Sequence, residues 1–209
     1  MITHPRPWFT SGLMAMLLFV ALHVGALSPA TAADFDKGMT AYRSGDYQAA
    51  LAEWRPLAES GHAAAQNNLG FMYAKGRGVA QDDAKAIAWY RRAAEQGHTK
   101  AQLSLGLVYA EGKGVPQDDA EAAAWYRRAA KQGLADSQYN LGLMFTNGEG
   151  VPKDFVRAHV WCSLAKSNGS RWSQVASILL KSLMSAEQIT QAKALSRRCR
   201  YSNYQECGD

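Results

Sequence analysis

Residues 99–134 read TKAQLSLGLVYAEGKGVPQDDAEAAAWYRRAAKQGL, and the neighbouring segments repeat that text. Ala101-Gln102 recurs as Ala65-Gln66 upstream and as Ser137-Gln138 downstream. Leu105-Gly106 recurs as Leu69-Gly70 and Leu141-Gly142, and Gly112-Lys113-Gly114-Val115 as Gly76-Arg77-Gly78-Val79 and Gly148-Glu149-Gly150-Val151. Trp125-Tyr126 recurs as Trp89-Tyr90 and, changed, as Trp161-Cys162. The period is 36 residues. A fixed period of this size means supersecondary units stacked on their neighbours, not one globular core.

Each unit reads as two helices. In the middle unit, Ala101, Leu105, Gly106 and Tyr109 fall on one face of a first helix over about Lys100–Ala110. Glycine inside a helix costs roughly 1 kcal/mol relative to alanine. Its return at Gly70, Gly106 and Gly142 therefore predicts a close approach of two helix backbones. Gly112 suits a left-handed residue that ends the first helix, with Gly114 as a second permissive position. A glycine loop can also cradle phosphate. That reading needs a Lys-Ser/Thr pair at the next helix start, which is missing here. Asp118 is placed to cap the second helix, with Glu121 completing a capping box, and Asp82 and Asp154 hold the same place. The second helix carries Ala122, Trp125, Tyr126, Ala129 and Ala130 and stops at Gly133. Gly97 and Gly169 stop its neighbours.

The pattern A-x-x-x-L-G-x-x-Y-x-x-G-x-G-V-x-x-D-x-x-x-A-x-x-W-Y-x-x-A-A-x-x-G closely resembles the Sel1-like repeat, a relative of the tetratricopeptide repeat with a longer inter-helix loop. The resemblance covers units 63–98, 99–134 and 135–170; the third departs at Phe145, Cys162 and Ser163. Upstream, residues 33–62 resemble an ordinary tetratricopeptide unit, with Gly38, Tyr42, Gly45 and Ala50 at its signature places. The loop there is four residues shorter: Tyr42 to Trp54 spans 12 positions, against 16 from Tyr73 to Trp89. The expected architecture is all-α, a right-handed α-solenoid of stacked helix-turn-helix repeats with a C-terminal helical cap over 171–209. A solenoid's last apolar face needs cover. Trp172, Val175, Ile178, Leu179 and Leu183 supply an apolar helix for it. Ser185 with Gln188 opens a second cap helix that presents Ile189, Ala192 and Leu195 on one face. The stretch 184–189 is similar to tails that follow Sel1-like repeats in bacterial proteins.

The N-terminus reads as an address. Arg6 precedes an apolar run of roughly 15 residues, Leu13 to Leu27, and Ala30-Thr31-Ala32 has the small residues of a signal peptidase site. Residues 1–32 are expected to be a cleaved secretory signal, with cleavage after Ala32 and a periplasmic or secreted product. The alternative is a membrane anchor, but a bilayer span needs about 20 apolar residues. No cysteine follows the run, which argues against a lipid anchor. No integral membrane span is expected after cleavage. The remaining chain carries 22 basic and 18 acidic residues with no long basic stripe, so nucleic acid is not an expected partner. Export permits a disulfide. Cys199 and Cys207, eight apart with turn-formers nearby, are the expected pair; Cys162 is expected to be a buried, inert thiol.

Carried over by position, the resemblance places the first helix of each unit on the concave side. Asn67, Leu103 and Tyr139 then form one row, Phe71, Leu107 and Leu143 the next, and Lys75, Glu111 and Asn147 edge the groove. Such a surface suits a peptide or partner helix. Phe71, Leu107 and Leu143 equally suit packing between units. Asn67 and Tyr139 are the better groove candidates, since that position varies while Leu69 and Tyr73 recur. No catalytic residue, metal site or cofactor is expected. Of His62, His98 and His159, the first two occupy equivalent inter-unit turns, one per unit and so no metal cluster by spacing, and no nucleophile sits in a motif. Acidic pairs for glycosidic chemistry meet only in the fold. The expected function is an exported adaptor that binds a protein or peptide in envelope assembly, signalling or host contact. The other reading is a secreted wall-polymer binder or β-lactamase-like hydrolase. Sel1-like proteins linked to that chemistry carry a disulfide in each repeat, and this chain does not. The oligomeric state stays open.

Overall fold

A computed structural model describes residues 33–208. The expected signal segment, 1–32, lies outside the described residues. The described chain folds into ten helices, and no strand occurs among the described residues. They are α1 (Phe35–Ser44), α2 (Tyr47–Glu59), α3 (Ala63–Lys75), α4 (Asp83–Glu95), α5 (Thr99–Glu111), α6 (Asp119–Ala130), α7 (Ala135–Asn147), α8 (Phe155–Ser167), α9 (Trp172–Ser182) and α10 (Ala186–Tyr201). From α1 to α9, consecutive helices pack on one another. This is the stacking of an α-solenoid, with first helices α1, α3, α5 and α7 and second helices α2, α4, α6 and α8.

Local chemistry sets the boundaries. Asp82, Asp118 and Asp154 accept the N–H groups of Lys85, Glu121 and Arg157 at 2.9–3.0 Å. Each satisfies one of the donors that a helix start leaves unpaired, worth about 1 kcal/mol apiece. A full reciprocal capping box forms at Ser185 and Gln188, opening α10. Gly112 ends α5 in the left-handed region at φ 64°, where other residues are strained.

The mid-helix glycines serve an aromatic ring. A Cβ added to Gly106 would meet the Tyr126 ring at 2.4 Å, and one on Gly70 the Tyr90 ring at 2.8 Å. So in units 63–98 and 99–134 the second helix lays a tyrosine over the glycine of the first. In the third unit, Cys162 replaces that tyrosine and its Sγ would stand 2.6 Å from a Cβ on Gly142. Cys162 is fully buried and unpaired, and burial pushes its thiol up to about 12. A desolvated thiol of this kind is an inert packing group.

Between units, a buried glutamine does the joining. Gln66, Gln102 and Gln138 donate their side-chain amides to the carbonyls of Ala58, Ala94 and Ala130 at the end of the preceding second helix, at 3.0–3.2 Å. Each of these carbonyls also accepts the N–H of Gly61, Gly97 or Gly133 in the turn that follows, so the glutamine fills the second acceptor position at each junction.

The C-terminal end corrects one expectation. Trp172, Val175, Ile178, Leu179 and Leu183 do not cover the solenoid; they stand 58–74% exposed. The inward face of α9 is Ser173, Ser177 and Leu180, followed by the buried Met184 in the turn to α10. The reason is register. Adding 36 to the first-helix positions carries Ser137 to Ser173, Leu141 to Ser177 and Met144 to Leu180, so α9 sits as a further first helix. Its own second helix is missing from that place, because α10 turns back onto α8. Ile178 therefore falls where earlier units have the glycine under a tyrosine, and among the described residues it stands exposed. The cover over the last unit comes from α10, with Ala192 and Cys199 buried and Ile189 and Leu195 partly so. A disulfide joins Cys199 to Cys207 and closes the tail against the end of α10.

Candidate functional site

The first helices bury one arc and expose the other. In α3, Ala65, Gln66, Leu69, Gly70 and Met72 are buried. Asn67, Phe71 and Lys75 project from the opposite arc, because four-residue steps keep them on one stripe. The same holds for Leu103, Leu107 and Glu111 on α5 and for Tyr139, Leu143 and Asn147 on α7. Asn67, Leu103, Tyr139 and Leu143 are half-buried. Phe71 and Leu107 are 36% and 40% exposed. Lys75, Glu111 and Asn147 are exposed.

At the N-terminal end the stripe borders a cleft of about 250 Å³. Asn67 and Phe71 line it with Met39, Tyr42, Asn68 and Lys100. Its aromatic wall is braced by Arg77, whose guanidinium lies 5.5–5.6 Å from the rings of Tyr42, Tyr47 and Phe71. Arg77 also donates to the Tyr42 hydroxyl. A cation over ring faces is attracted by their quadrupoles, so the side chains are held in place before any ligand arrives. Further along, Leu143 lines a second cleft with Asn140, Tyr126 and Glu149. The edge row is tied back to its own helix or loop. Lys75 reaches over the Phe71 ring at 6.0 Å, Glu111 pairs with Lys113, and Asn147 donates to Glu149 at 3.1 Å. The Glu111 carboxylate raises the Lys113 ammonium above its ordinary value.

The rows are longer than the three repeats indicate. The register of α9 adds Val175 after Tyr139, Leu179 after Leu143 and Leu183 after Asn147. All three are exposed. The signal was available: the 36-residue step continues past Ser170 although the signature residues stop.

Two further roles are visible only in the structure. His62 and His98 are the N-caps of α3 and α5, their Nδ1 atoms accepting the Ala65 and Ala101 N–H groups at 3.1 and 3.3 Å. Burial, then Lys100 and His62, lowers the His98 imidazole below its ordinary value. Among the described residues, no group of three His, Cys, Asp or Glu is placed to hold a metal ion. Nor is any described helix long and apolar enough to cross a membrane.

The Sel1 repeat model matches residues 63–98, 99–134 and 135–170, half of the chain. The chain belongs to the Sel1 repeat family. Sel1 repeats are generally non-catalytic scaffolds that bind protein partners. Among solved structures, the chain is similar to a Sel1 repeat protein from Oxalobacter formigenes at 34% identity and a TM-score of 0.68, covering 70% of this chain and 60% of that one. It is also similar to c5321, a protective antigen of uropathogenic Escherichia coli strains displaying this fold, at 28% identity and a TM-score of 0.54. That match covers 81% of this chain and 47% of the antigen. The chain thus spans about half to three-fifths of the length of these relatives. No curated protein matches it significantly.

Proposed function

We propose that this Sel1 protein is an exported adaptor that takes a peptide or partner helix along the outward stripe of its first helices. One observation carries the reading: a row of half-exposed side chains whose chemistry varies while the scaffold around it repeats. Asn67, Leu103, Tyr139 and Val175 occupy one position, while Ala65, Ala101, Ser137 and Ser173 beneath them stay small and buried. A fixed frame with one variable row is how a repeat array acquires specificity. The row runs from polar at Asn67 to apolar at Val175, and the edge row from Lys75 to Leu183. An amphipathic segment with its polar end toward α3 and its apolar end toward α9 matches that gradient.

Export is supported by the disulfide, which belongs to oxidising compartments. The leader-like composition of residues 1–32 agrees. Purification of the protein from the native envelope after crosslinking tests the function. The expected result is a specific protein partner that is lost on combined Asn67→Ala, Leu103→Ala and Tyr139→Ala substitution, with the melting transition unchanged. Retention of the partner by that variant would show that the stripe is not the binding surface.

A further inference from the structure

Three departures from the repeat converge at the C-terminal end. His159 stands where earlier units bury Ile87 and Ala123. Ser177 stands where they bury Leu69, Leu105 and Leu141, and Lys181 where they carry Tyr73, Tyr109 and Phe145. Loss of that apolar volume leaves a cleft of about 370 Å³ between α8, α9 and α10. His159 is at its base, only 4% exposed. Its Nδ1 lies 3.3 Å from the Ser163 hydroxyl and its Nε2 3.4 Å from the Ser177 hydroxyl. Burial, then Lys181 and Lys193, holds its imidazole below the ordinary value.

The wall is uniformly cationic. Lys181 comes from α9; Lys193, Arg197 and Arg200 line one face of α10. None of the four forms an ion pair or side-chain hydrogen bond among the described residues, and no carboxylate lines the cleft. Like charges four apart on a helix repel. Residues 171–209 carry six basic and three acidic side chains, whereas 33–170 are close to neutral, with 16 and 15. Ser196, between Lys193 and Arg197, is 6% exposed and its hydroxyl has no partner among the described residues. Buried hydroxyls are nearly always bonded. An unpaired donor under four unpaired cations is the arrangement an oxyanion completes.

We propose that this cleft is a binding site for a phosphate group, free or as the headgroup of a lipid. Lys181, Lys193, Arg197 and Arg200 neutralise it, and the Ser196 hydroxyl donates to one oxygen. Four converging cations favour a multiply charged anion over a single carboxylate, and the guanidiniums offer forked donors to tetrahedral oxygens. The site is separate from the groove stripe, so it stands whether or not a peptide binds there.

The test uses residues 33–209. Inorganic phosphate is titrated calorimetrically against chloride at equal ionic strength, with the His159 ring resonances followed by NMR. Saturable phosphate binding that moves the His159 signals is expected. Lys193→Ala with Arg197→Ala should weaken it at least tenfold, and Ser196→Ala severalfold, both with unchanged melting. Absence of saturation beyond the chloride control overturns the proposal, as does binding that the variants leave intact. Phosphatidylglycerol and phosphatidylcholine vesicles then distinguish the source. Sedimentation with the anionic vesicles alone, displaced by phosphate, assigns a headgroup; phosphate binding without sedimentation assigns a free ligand. Vesicle binding insensitive to both phosphate and the α10 substitutions overturns the site and points to the bare apolar stripe of α9.

Discussion

Gln132 donates its side-chain amide to the Oε1 of Gln102 at 2.8 Å, across 30 residues of sequence. Gln102 in turn donates to the Ala94 carbonyl, so one buried amide is satisfied at both ends. Gln96 with Gln66, and Asn168 with Gln138, repeat the arrangement at 2.7 and 2.9 Å. This chain of amides runs through every junction of the three repeats. Gln102→Leu removes one of the two bonds on the Ala94 carbonyl, which keeps the Gly97 N–H, and takes the acceptor from the Gln132 amide, so a cost of about 0.5–1.5 kcal/mol is expected. Urea unfolding measures it. A midpoint equal to that of the parent would show that the junction is held by apolar packing alone.

The glycine under each tyrosine gives a second prediction. Alanine is the better helix former, so on propensity Gly106→Ala would stabilise by about 1 kcal/mol. Its Cβ would meet the Tyr126 ring at 2.4 Å, and overpacking of this kind costs about 1–3 kcal/mol. Net destabilisation is expected. Gly106→Ala with Tyr126→Ala, which removes the ring where cysteine would still crowd an added Cβ, as at Gly142, isolates the ring's part. A double-mutant cycle in which the two changes are additive would show that the ring is not what excludes the methyl group.

Legibility followed the range of the interaction. Asp118 as a cap and Gly112 as a helix stop depend on a few neighbouring residues, so they read directly from the sequence. His98 has the same capping role but is an unusual cap by type, so its spacing alone did not reveal it. Gln66, Gln102 and Gln138 recur visibly, yet their acceptors lie on the preceding helix, and only stacking brings them together. For α9 the apolar residues pointed the wrong way. Counting hydrophobic side chains cannot say which arc is buried, whereas the 36-residue register can. The stripe at Asn67, Leu103 and Tyr139 was legible as a shared face, because helical spacing determines that. The cleft at His159 was not, since its cations come from α10, which lies outside the repeat.

Acid should loosen the repeat junctions. The His98 imidazole is lowered below 6.5 mainly by burial, and it caps α5 only while Nδ1 is unprotonated. A lowered folded value means stability is complete above 6.5, the unfolded value, and is lost as pH falls through the folded value. His159 shifts in the same direction, so it adds to the same window. Stability measured from pH 7.5 to pH 5 should decline below 6.5. His98→Asn keeps a capping oxygen and removes the titration, so it should flatten part of that decline. An unchanged slope in His98→Asn would assign the acid sensitivity elsewhere.

The tail disulfide should act locally. Cys199 and Cys207 are both fully buried and close a loop eight residues apart. Cross-linking a loop of that size restricts the unfolded chain by roughly 2–3 kcal/mol. Within the loop, Tyr204 holds a left-handed φ of 66° and bonds Asn168, the residue that completes the last amide junction. Cys199→Ala with Cys207→Ala should therefore lower stability by about that amount. Faster hydrogen exchange should appear at the end of α10 and around Asn168, while α3 to α6 stay protected. Uniformly faster exchange would mean that the tail stabilises the whole stack and not its last unit.

Two adjacent faces of α9 separate the register assignment from its alternative. Leu180 is buried against the last repeat, while Ile178 faces out from the position where glycine sits elsewhere. Truncating a buried leucine to alanine costs about 2–5 kcal/mol, whereas an exposed side chain can be changed within about 0.5 kcal/mol. Leu180→Ala should therefore shift the urea midpoint strongly and Ile178→Ser hardly at all. Ile178→Ser should also reduce binding of an apolar dye, because it breaks a stripe far more exposed than single surface residues require. A large loss of stability in Ile178→Ser would mean that α10 or another segment covers this face in solution. The rows through Val175, Leu179 and Leu183 would then end at α7.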